Sequence, residues 1–326
     1  MSKLIIQIPC LNEAETLPAT LADLPRAIAG IDTIEYLVID DGSKDETAAV
    51  ARAHGVHHVV RFRRQKGLAA AFMAGIDASL KLGADFIVNT DADNQYAGRD
   101  ITKLVTPLLA GEYDIVIGDR NVREIRHFSW MKRILQRLGS WTVRQVSGTE
   151  VPDTTSGFRA YTRDAALRMT LVSEYSYTLE SIIQAGKQRV AIGHVEIATN
   201  QVTRPSRLFD SMVGYIRRSG ATIVRIYTMH EPLKVFTYIG SLVFVVGFYG
   251  GVRFLYYYWI GEASQHLASL VASGVLMILG FQILMIGLVA DAISGSRKLI
   301  EDLLYRVRSM ELERSAGDTG GDGSRR

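Results

Sequence analysis

Two stretches toward the carboxyl end constrain this chain more than any other feature. Val235–Trp259 and Leu267–Ala290 run almost without charge, and each is long enough to cross a hydrocarbon core, which takes about 20 apolar residues. Up to Tyr227 the apolar runs are short and broken by charge. A chain of 326 residues arranged this way has room for a soluble body and a modest membrane part. Its mean hydropathy of +0.10 fits that division, being high for a purely soluble enzyme and low for a polytopic transporter. The opening KLIIQIP is strand-like, so no signal peptide is expected and the body should stay on the side where it is made. Arg297, Lys298, Arg306 and Arg308 follow the second stretch, the segment before the first is also basic, and the IGEAS loop between them has no lysine or arginine. The positive-inside rule then puts both flanks and both termini in the cytoplasm, with the loop outside. Arg253 and Asp291 sit near span ends, where a charge can snorkel to water.

The body alternates two kinds of segment. Strands are expected at Leu4–Ile8, Tyr36–Ile39, Val56–Val60, Phe86–Val88 and Ile115–Ile117, with helices at Glu13–Ala29, Asp45–Ala53, Leu68–Lys81 and Arg99–Leu109. Such alternation indicates βαβ units and a mainly parallel sheet, an α/β fold. The later TSGFRAYTRDAALRM and YTLESIIQAGKQRVAIGHVEI read as strand, helix, helix, strand. Two basic amphipathic helices are expected as well. Over 120–147, seven arginines and lysines face one acid, Glu124, and Trp130, Ile134, Leu138 and Trp141 recur at helical spacing. That pattern suits either an anionic membrane surface or packing on the sheet. The second helix, from Arg204, runs straight into the first apolar stretch, which favours the membrane surface. The expected organisation is a body over 1–203, an amphipathic interface helix over 204–232, two transmembrane helices over 233–293, and a cytoplasmic basic helix with a disordered tail over 294–326.

Bulk properties narrow the function. One cysteine, Cys10, rules out an intrachain disulfide and suits a reducing compartment. The net charge of +3 offers nothing to nucleic acid. There is no G-x-x-x-x-G-K-[ST], so a P-loop NTPase is not supported. Polar clusters instead follow three expected strands: PCLNE at Pro9–Glu13, IDDGS at Ile39–Ser43 and NTDADNQ at Asn89–Gln95. Each alone has a turn or capping explanation. In an open α/β sheet, however, ligands bind beyond the carboxyl ends of the strands, so the three would converge on one crevice. Asp40 and Asp41 can accept hydrogen bonds from a base or ribose. Asp91 and Asp93, two residues apart and facing the same way in extended chain, repel unless a cation sits between them. With the Gln95 amide oxygen they are hard donors for Mg²⁺ or Mn²⁺, ions that bring substrate phosphates with them. Lys66 and Gly67 precede a helix, where a phosphate or ribose can approach backbone. The ensemble describes a nucleoside diphosphate held through a metal.

PCLNE, VIDDGSKDET, KGLAAAFMAGI, NTDADNQY, GDR at Gly118–Arg120 and TSGFRAY at Thr155–Tyr161 resemble, in order, the motifs of inverting family 2 glycosyltransferases, and more narrowly the polyprenyl-phosphate glycosyltransferases related to dolichyl-phosphate mannose synthase. The resemblance covers Lys3 to Tyr161 by motif and extends by layout to about Arg308. It implies a GT-A nucleotide-sugar domain that transfers a sugar from a UDP- or GDP-sugar to a polyprenyl phosphate such as undecaprenyl phosphate. By that resemblance Pro9, Leu11, Asn12, Glu13, Asp40, Asp41, Lys66 and Gly67, with Asp91 and Ala92, would line the nucleotide-sugar. Asp91, Asp93 and Gln95 would hold the metal. Arg120 and Arg159 would meet the acceptor phosphate or the departing diphosphate, with Arg126, Arg133, Ser156, Ser206 and Arg207 around the phosphates. The RPSR at Arg204–Arg207 departs from the family's G-x-S-K-like loop in Arg204 and Pro205. An acceptor phosphate is already ionised, so a strong base is dispensable; Asp153 is the candidate if one is used. A processive polysaccharide synthase is disfavoured because QRLGSW does not match Q-x-x-R-W and only two spans are present. A nucleotidyltransferase would need a different Gly-rich opening. A non-catalytic scaffold would show an eroded metal motif, whereas Asp91, Asp93 and Gln95 are intact. Two spans leave much helix surface for a partner copy, which admits a homodimer or homotetramer.

Overall fold

The computed structural model describes residues 1–120, 141, 143–144, 147–171, 177–200, 224–225, 227–228 and 231–321. Seven strands form one sheet in the order β3-β2-β1-β4-β6-β5-β7: β1 (Lys3–Cys10), β2 (Thr33–Asp40), β3 (His58–Arg61), β4 (Phe86–Asn89), β5 (Ile115–Asp119), β6 (Arg159–Thr162) and β7 (Ile192–Glu196). All neighbours are parallel except β6, which runs antiparallel between β4 and β5. Helices α1 (Leu17–Asp23), α2 (Thr47–Ala53), α3 (Leu68–Lys81) and α4 (Ile101–Leu109) follow β1, β2, β3 and β4, and α5 (Arg163–Arg168) and α6 (Tyr177–Lys187) follow β6.

The centre of the sheet explains the continuous apolar runs. Seven of the eight residues of β1 are buried, as expected for a strand covered on both faces. Leu4, Ile5, Ile6 and Ile8 are wholly enclosed, each burial being worth about 1.5–3 kcal/mol. Helix α3 packs on β1 and β2, and α4 on β5 and β6. The register pairs Cys10 with Asp40 and Gln7 with Asn89, so the polar clusters after β1, β2 and β4 leave the sheet along one edge.

Two elements differ from the sequence reading. The first helix is seven residues, not Glu13–Ala29. Pro25 forces its predecessor Leu24 into extended backbone (ψ 139°), which stops the helix. At the other end the chain stays helical through Gly321, although no apolar pattern survives past Ser315. Extending an existing helix adds a hydrogen bond per residue without a new nucleus.

The chain divides into two compact units, 1–219 with 302–326, and 220–301. The second holds α7 (Pro232–Trp259) and the apolar part of α8 (Leu267–Gly321), two helices long and apolar enough to cross a membrane. Only 11% and 17% of their most apolar windows are buried, whereas a soluble core helix would be mostly enclosed. They meet through small residues. A Cβ on Gly247 would stand 2.8 Å from the Met277 nitrogen, and one on Gly280 2.6 Å from the Phe244 nitrogen, the close backbone approach typical of packing in lipid. In the first unit, Tyr305 donates to Asp164 (2.8 Å) and Arg308 to the Met169 carbonyl (2.7 Å).

Candidate active site

The turns after β1 and β2 are laced together by their own polar groups. The Asn12 amide donates to Ser43 Oγ (2.9 Å), the Lys44 amide to Asn12 Oδ1 (2.8 Å) and the Glu13 amide to Thr47 Oγ1 (2.9 Å). Asn12 has φ of 55°, a left-handed conformation that asparagine tolerates better than most residues. Asp40 is fully buried. Its Oδ1 accepts from the Ser43 amide (2.8 Å), and Oδ2 forms an ion pair with Arg61 Nε at 3.0 Å, without hydrogen-bond alignment. Asp41, 4% exposed, accepts from the Lys66 amide (2.7 Å) and the Gly67 amide (2.9 Å). Both carboxylates, expected at a base or ribose, therefore fix the β2–α2 and β3–α3 loops. A ligand here meets the loops they hold. Gly42 is part of that construction: its φ is +74°, and a Cβ would lie 2.7 Å from the Arg64 carbonyl carbon. Beyond it the chain forms a basic hollow lined by Arg61, Phe62, Arg63, Arg64 and Lys66, with Lys66 Nζ 4.5 Å from the Phe62 ring centre.

Strand β4 ends at Asn89, so Asp91 and Asp93 lie in a tight turn instead of extended chain. The Gln95 amide donates to Asp93 Oδ1 (3.2 Å), and Asn94 takes φ of 56°. The two acids remain electrostatic neighbours. Burial, then the charge of Asp93, push the Asp91 carboxyl up to about 7, against the opposing pull of Arg120. Asp91 also sits directly on the backbone of Gly157. A Cβ there would come within 3.2 and 3.4 Å of its two oxygens and 2.7 Å of the Tyr177 hydroxyl. Asn89 Nδ2 donates to the Gly157 carbonyl (2.8 Å) and to the Tyr177 hydroxyl (3.3 Å), while Asn89 Oδ1 accepts from Gln7 Nε2 (2.9 Å). The Gly157 amide donates to the Tyr96 hydroxyl (3.2 Å), and Tyr96 stacks on Phe158 at 4.9 Å. Gln7, Asn89, Tyr96, Gly157 and Tyr177 form a buried polar floor that sequence reasoning missed. Asn89, Tyr96 and Gly157 lie within motifs singled out in the sequence, but nothing local gives their side chains this role.

The arginines divide sharply. Arg120, just past β5, places Nε 2.7 Å and Nη2 3.0 Å from the two oxygens of Asp153, and Nη2 also donates to Thr155 Oγ1 (2.9 Å). Burial works against its charge, but Tyr96, Asp153 and Asp91 outweigh burial and keep its pKa raised, so it is charged throughout the physiological range. Burial alone would lift Asp153, but Arg120 and Thr155 hold it below the usual carboxylate range. A carboxylate so paired is a poor proton acceptor, which corrects its reading as a base. Arg159, expected at a phosphate, is fully buried. Its fork is spent on the carbonyls of Ser156 (2.7 Å), Thr178 (2.9 Å) and Thr154 (3.0 Å) and on Ser181 Oγ (2.7 Å). Ser156 is likewise enclosed and accepts from the Phe158 amide (3.3 Å). Both belong to the entry of β6 into the sheet, where an ordinary loop contact with a phosphate is closed off. Arg126, Arg133, Ser206 and Arg207, and most of both expected amphipathic helices, lie outside the described residues.

Among the described residues no three acidic, His or Cys side chains gather as a metal cluster. Two carboxylates suffice for a hard divalent ion that keeps substrate phosphates and waters as its other ligands. Burial, and after it the Asp93 charge, disfavours the ionised Asp91, and a divalent cation in the turn would favour it, so the residues fit Mg²⁺ or Mn²⁺.

Residues 5–169 match the family described as Glycosyl transferase family 2, and residues 231–296 match the GtrB C-terminal hairpin. Glycosyltransferase AglJ of Haloferax volcanii is 30% identical over 94% of this chain and 97% of its own length. Polyprenol monophosphomannose synthase of Mycolicibacterium smegmatis is 32% identical over 51% of this chain and 64% of its own. Among solved structures, glucosyl-3-phosphoglycerate synthase of Mycobacterium tuberculosis, in complex with Mn²⁺, UDP-glucose and phosphoglyceric acid, covers 69% of this chain and 79% of its own with a TM-score of 0.53 at 23% identity. That likeness establishes the GT-A fold.

Proposed function

The chain belongs to glycosyl transferase family 2, and from that premise we propose that it moves a sugar from a UDP- or GDP-sugar to a polyprenyl phosphate at a membrane surface, with inversion at C1. The observation that carries the reading is the Asp91–Asp93 turn, two carboxylates close enough that the Asp93 charge adds to burial in raising Asp91, with the Arg120 fork in electrostatic reach. The name of the mycobacterial relative, a polyprenol monophosphomannose synthase, supports the acceptor class. The near full-length match to AglJ supports one enzyme layout from the body through the hairpin.

In the proposed reaction an oxygen of the lipid phosphate attacks the sugar C1 as the bond from C1 to the nucleoside diphosphate breaks, and the electron pair leaves on the diphosphate. A bound Mg²⁺ or Mn²⁺ supplies Lewis-acid neutralisation of that charge. Asp91 and Asp93 would hold the ion, with Gln95 beside them. Arg120, oriented by Asp153 and Thr155, adds a charged donor already aimed before reaction, which is where electrostatic catalysis is most effective. The acceptor oxygen is anionic at neutral pH, so no residue has to remove a proton. The loops held by Asp40 and Asp41 shape the nucleoside end. Two spans anchor the protein, with body and termini cytoplasmic and the segments 120–147 and 204–232 at the lipid surface.

The test is a panel of UDP- and GDP-sugars with undecaprenyl phosphate and Mn²⁺ or Mg²⁺, using full-length protein in liposomes and mass spectrometry of the lipid. A glycosylated lipid that forms with one donor and vanishes in Asp93→Asn is expected. Nucleotide binding without any lipid product would overturn the acceptor assignment.

A further inference from the structure

Beyond β7 the chain does something the catalytic reading leaves unused. Ala198, Thr199 and Asn200 lie along the Asp91–Gln95 turn. Thr199 bridges Tyr96 in antiparallel fashion, and the Ala198 amide donates to the buried Asp100 Oδ2 (2.6 Å). The Asn200 amide donates to the Gln95 carbonyl (2.8 Å). Its side-chain Nδ2 donates to the Asn94 carbonyl (3.0 Å), with Asn94 Oδ1 and the Tyr96 carbonyl each at 3.5 Å. Asn94 is the left-handed residue of the turn (φ 56°), and that conformation is unfavourable unless its surroundings hold it. It stands directly between Asp93 and Gln95, so its backbone dihedrals set where both side chains point.

We propose that Asn200 is the positioning residue of the cation-binding turn: its side-chain amide locks Asn94, and through it the aim of Asp93. The inference rests on the reading of this turn as the metal site. The side-chain NH2 donates to the Asn94 carbonyl, 106 residues away, with two more carbonyl-type oxygens at the limit of hydrogen bonding. A carboxylate of the same shape would meet those oxygens with like polarity.

Full-length Asn200→Ala and Asn200→Asp proteins decide the matter through two readouts. Hydrogen exchange of the metal-free protein, followed on peptides covering Thr90–Ala97, should speed up in both variants while the β1 and β2 peptides stay unchanged. Mn²⁺ titration with UDP, followed by the electron paramagnetic resonance of the free ion, should show about tenfold weaker binding, the usual cost of losing an outer-shell partner. Excess Mn²⁺ should restore kcat to within about twofold of the parent, since the lost interaction acts on binding. Unchanged exchange in the turn overturns the proposal, as does faster exchange with unaltered Mn²⁺ affinity or a loss of kcat that Mn²⁺ does not rescue. If the parent itself binds Mn²⁺ no better than Asp93→Asn, the metal reading falls, and the exchange arm still decides whether Asn200 holds the turn.

Discussion

Gly157→Ala tests the floor of the site with a single methyl group. The added Cβ would lie 2.7 Å from the Tyr177 hydroxyl and 3.2 Å from Asp91 Oδ1, both inside normal carbon–oxygen contact. Tyr177 cannot retreat easily, because it is 3% exposed and stacked on Phe72 at 4.3 Å. Overpacking of this kind costs about 1–3 kcal/mol, and displacing the hydroxyl from Asn89 forfeits a hydrogen bond of about 1 kcal/mol. A net loss of about 3 kcal/mol lowers the midpoint of a unit this size by about 6–12 °C. The backbone of Gly157 is not in the left-handed region, so strain adds nothing and the whole effect is steric. Differential scanning calorimetry of the metal-free protein reads it. Tyr177→Phe removes the oxygen in conflict, so the double variant should be more stable than the sum of the two single losses, a positive coupling in a double-mutant cycle. Additive losses, or a Gly157→Ala protein as stable as its parent, would refute the packing account.

Asp91 has to lose a proton before it binds a cation, and burial with the Asp93 charge holds that proton up to about 7 in the metal-free protein. Apparent Mn²⁺ affinity should therefore be about tenfold weaker at pH 6 than at pH 8 and level above that; isothermal titration across that range reads the slope, and an affinity independent of pH would refute it. The same shift has the opposite sign for folding. The folded state binds more protons than the unfolded one between about 4 and 7, so this group's contribution to stability declines as pH rises through that window. Asp153→Asn frees Arg120 instead of removing a base, so turnover should drop by about 10²-fold and by the same factor from about pH 6 to 9. A variant that lost only one limb of the pH profile would restore the base assignment. Arg159→Met strands three carbonyls and Ser181 and should cost at least about 3 kcal/mol, visible as lost thermal stability rather than lost turnover per folded molecule.

The strands and their polar ends were legible because they rest on local chemistry. A buried strand needs a continuous apolar run, and the run stops where the chain leaves the sheet. The α/β alternation, the converging turns after β1, β2 and β4, and the apolar hairpin all follow from short stretches read in order. Arg159 was misread for the opposite reason. An arginine beside Ser and Gly looks like a phosphate contact, and nothing local reveals that TSGFR feeds an antiparallel strand between β4 and β5. Tyr177 and Asn200 were invisible, since their partners Asn89 and Asn94 lie 88 and 106 residues away. The shortened α1 was readable in principle from Pro25.

The four aspartates at the strand ends show why residue type alone does not assign a role. Asp40 and Asp41 meet an arginine and three backbone amides between them, so their charges are answered within the fold. Asp93 accepts an amide from its own turn. Asp91 is pressed between Gly157 and the Asp93 charge, and Arg120, the cation that would offset it, is already committed to Asp153. A fold that wanted only stability would put a neutral side chain at position 91, because a half-buried acid with a raised pKa is a cost. The same buried acid, beside the Asp93 charge, suits a divalent ion carrying a diphosphate. Replacing Asp91 by Asn should therefore stabilise the metal-free protein near neutral pH while abolishing ion binding. Loss of both stability and binding would instead mean that the Asp91 carboxylate is needed by the fold itself.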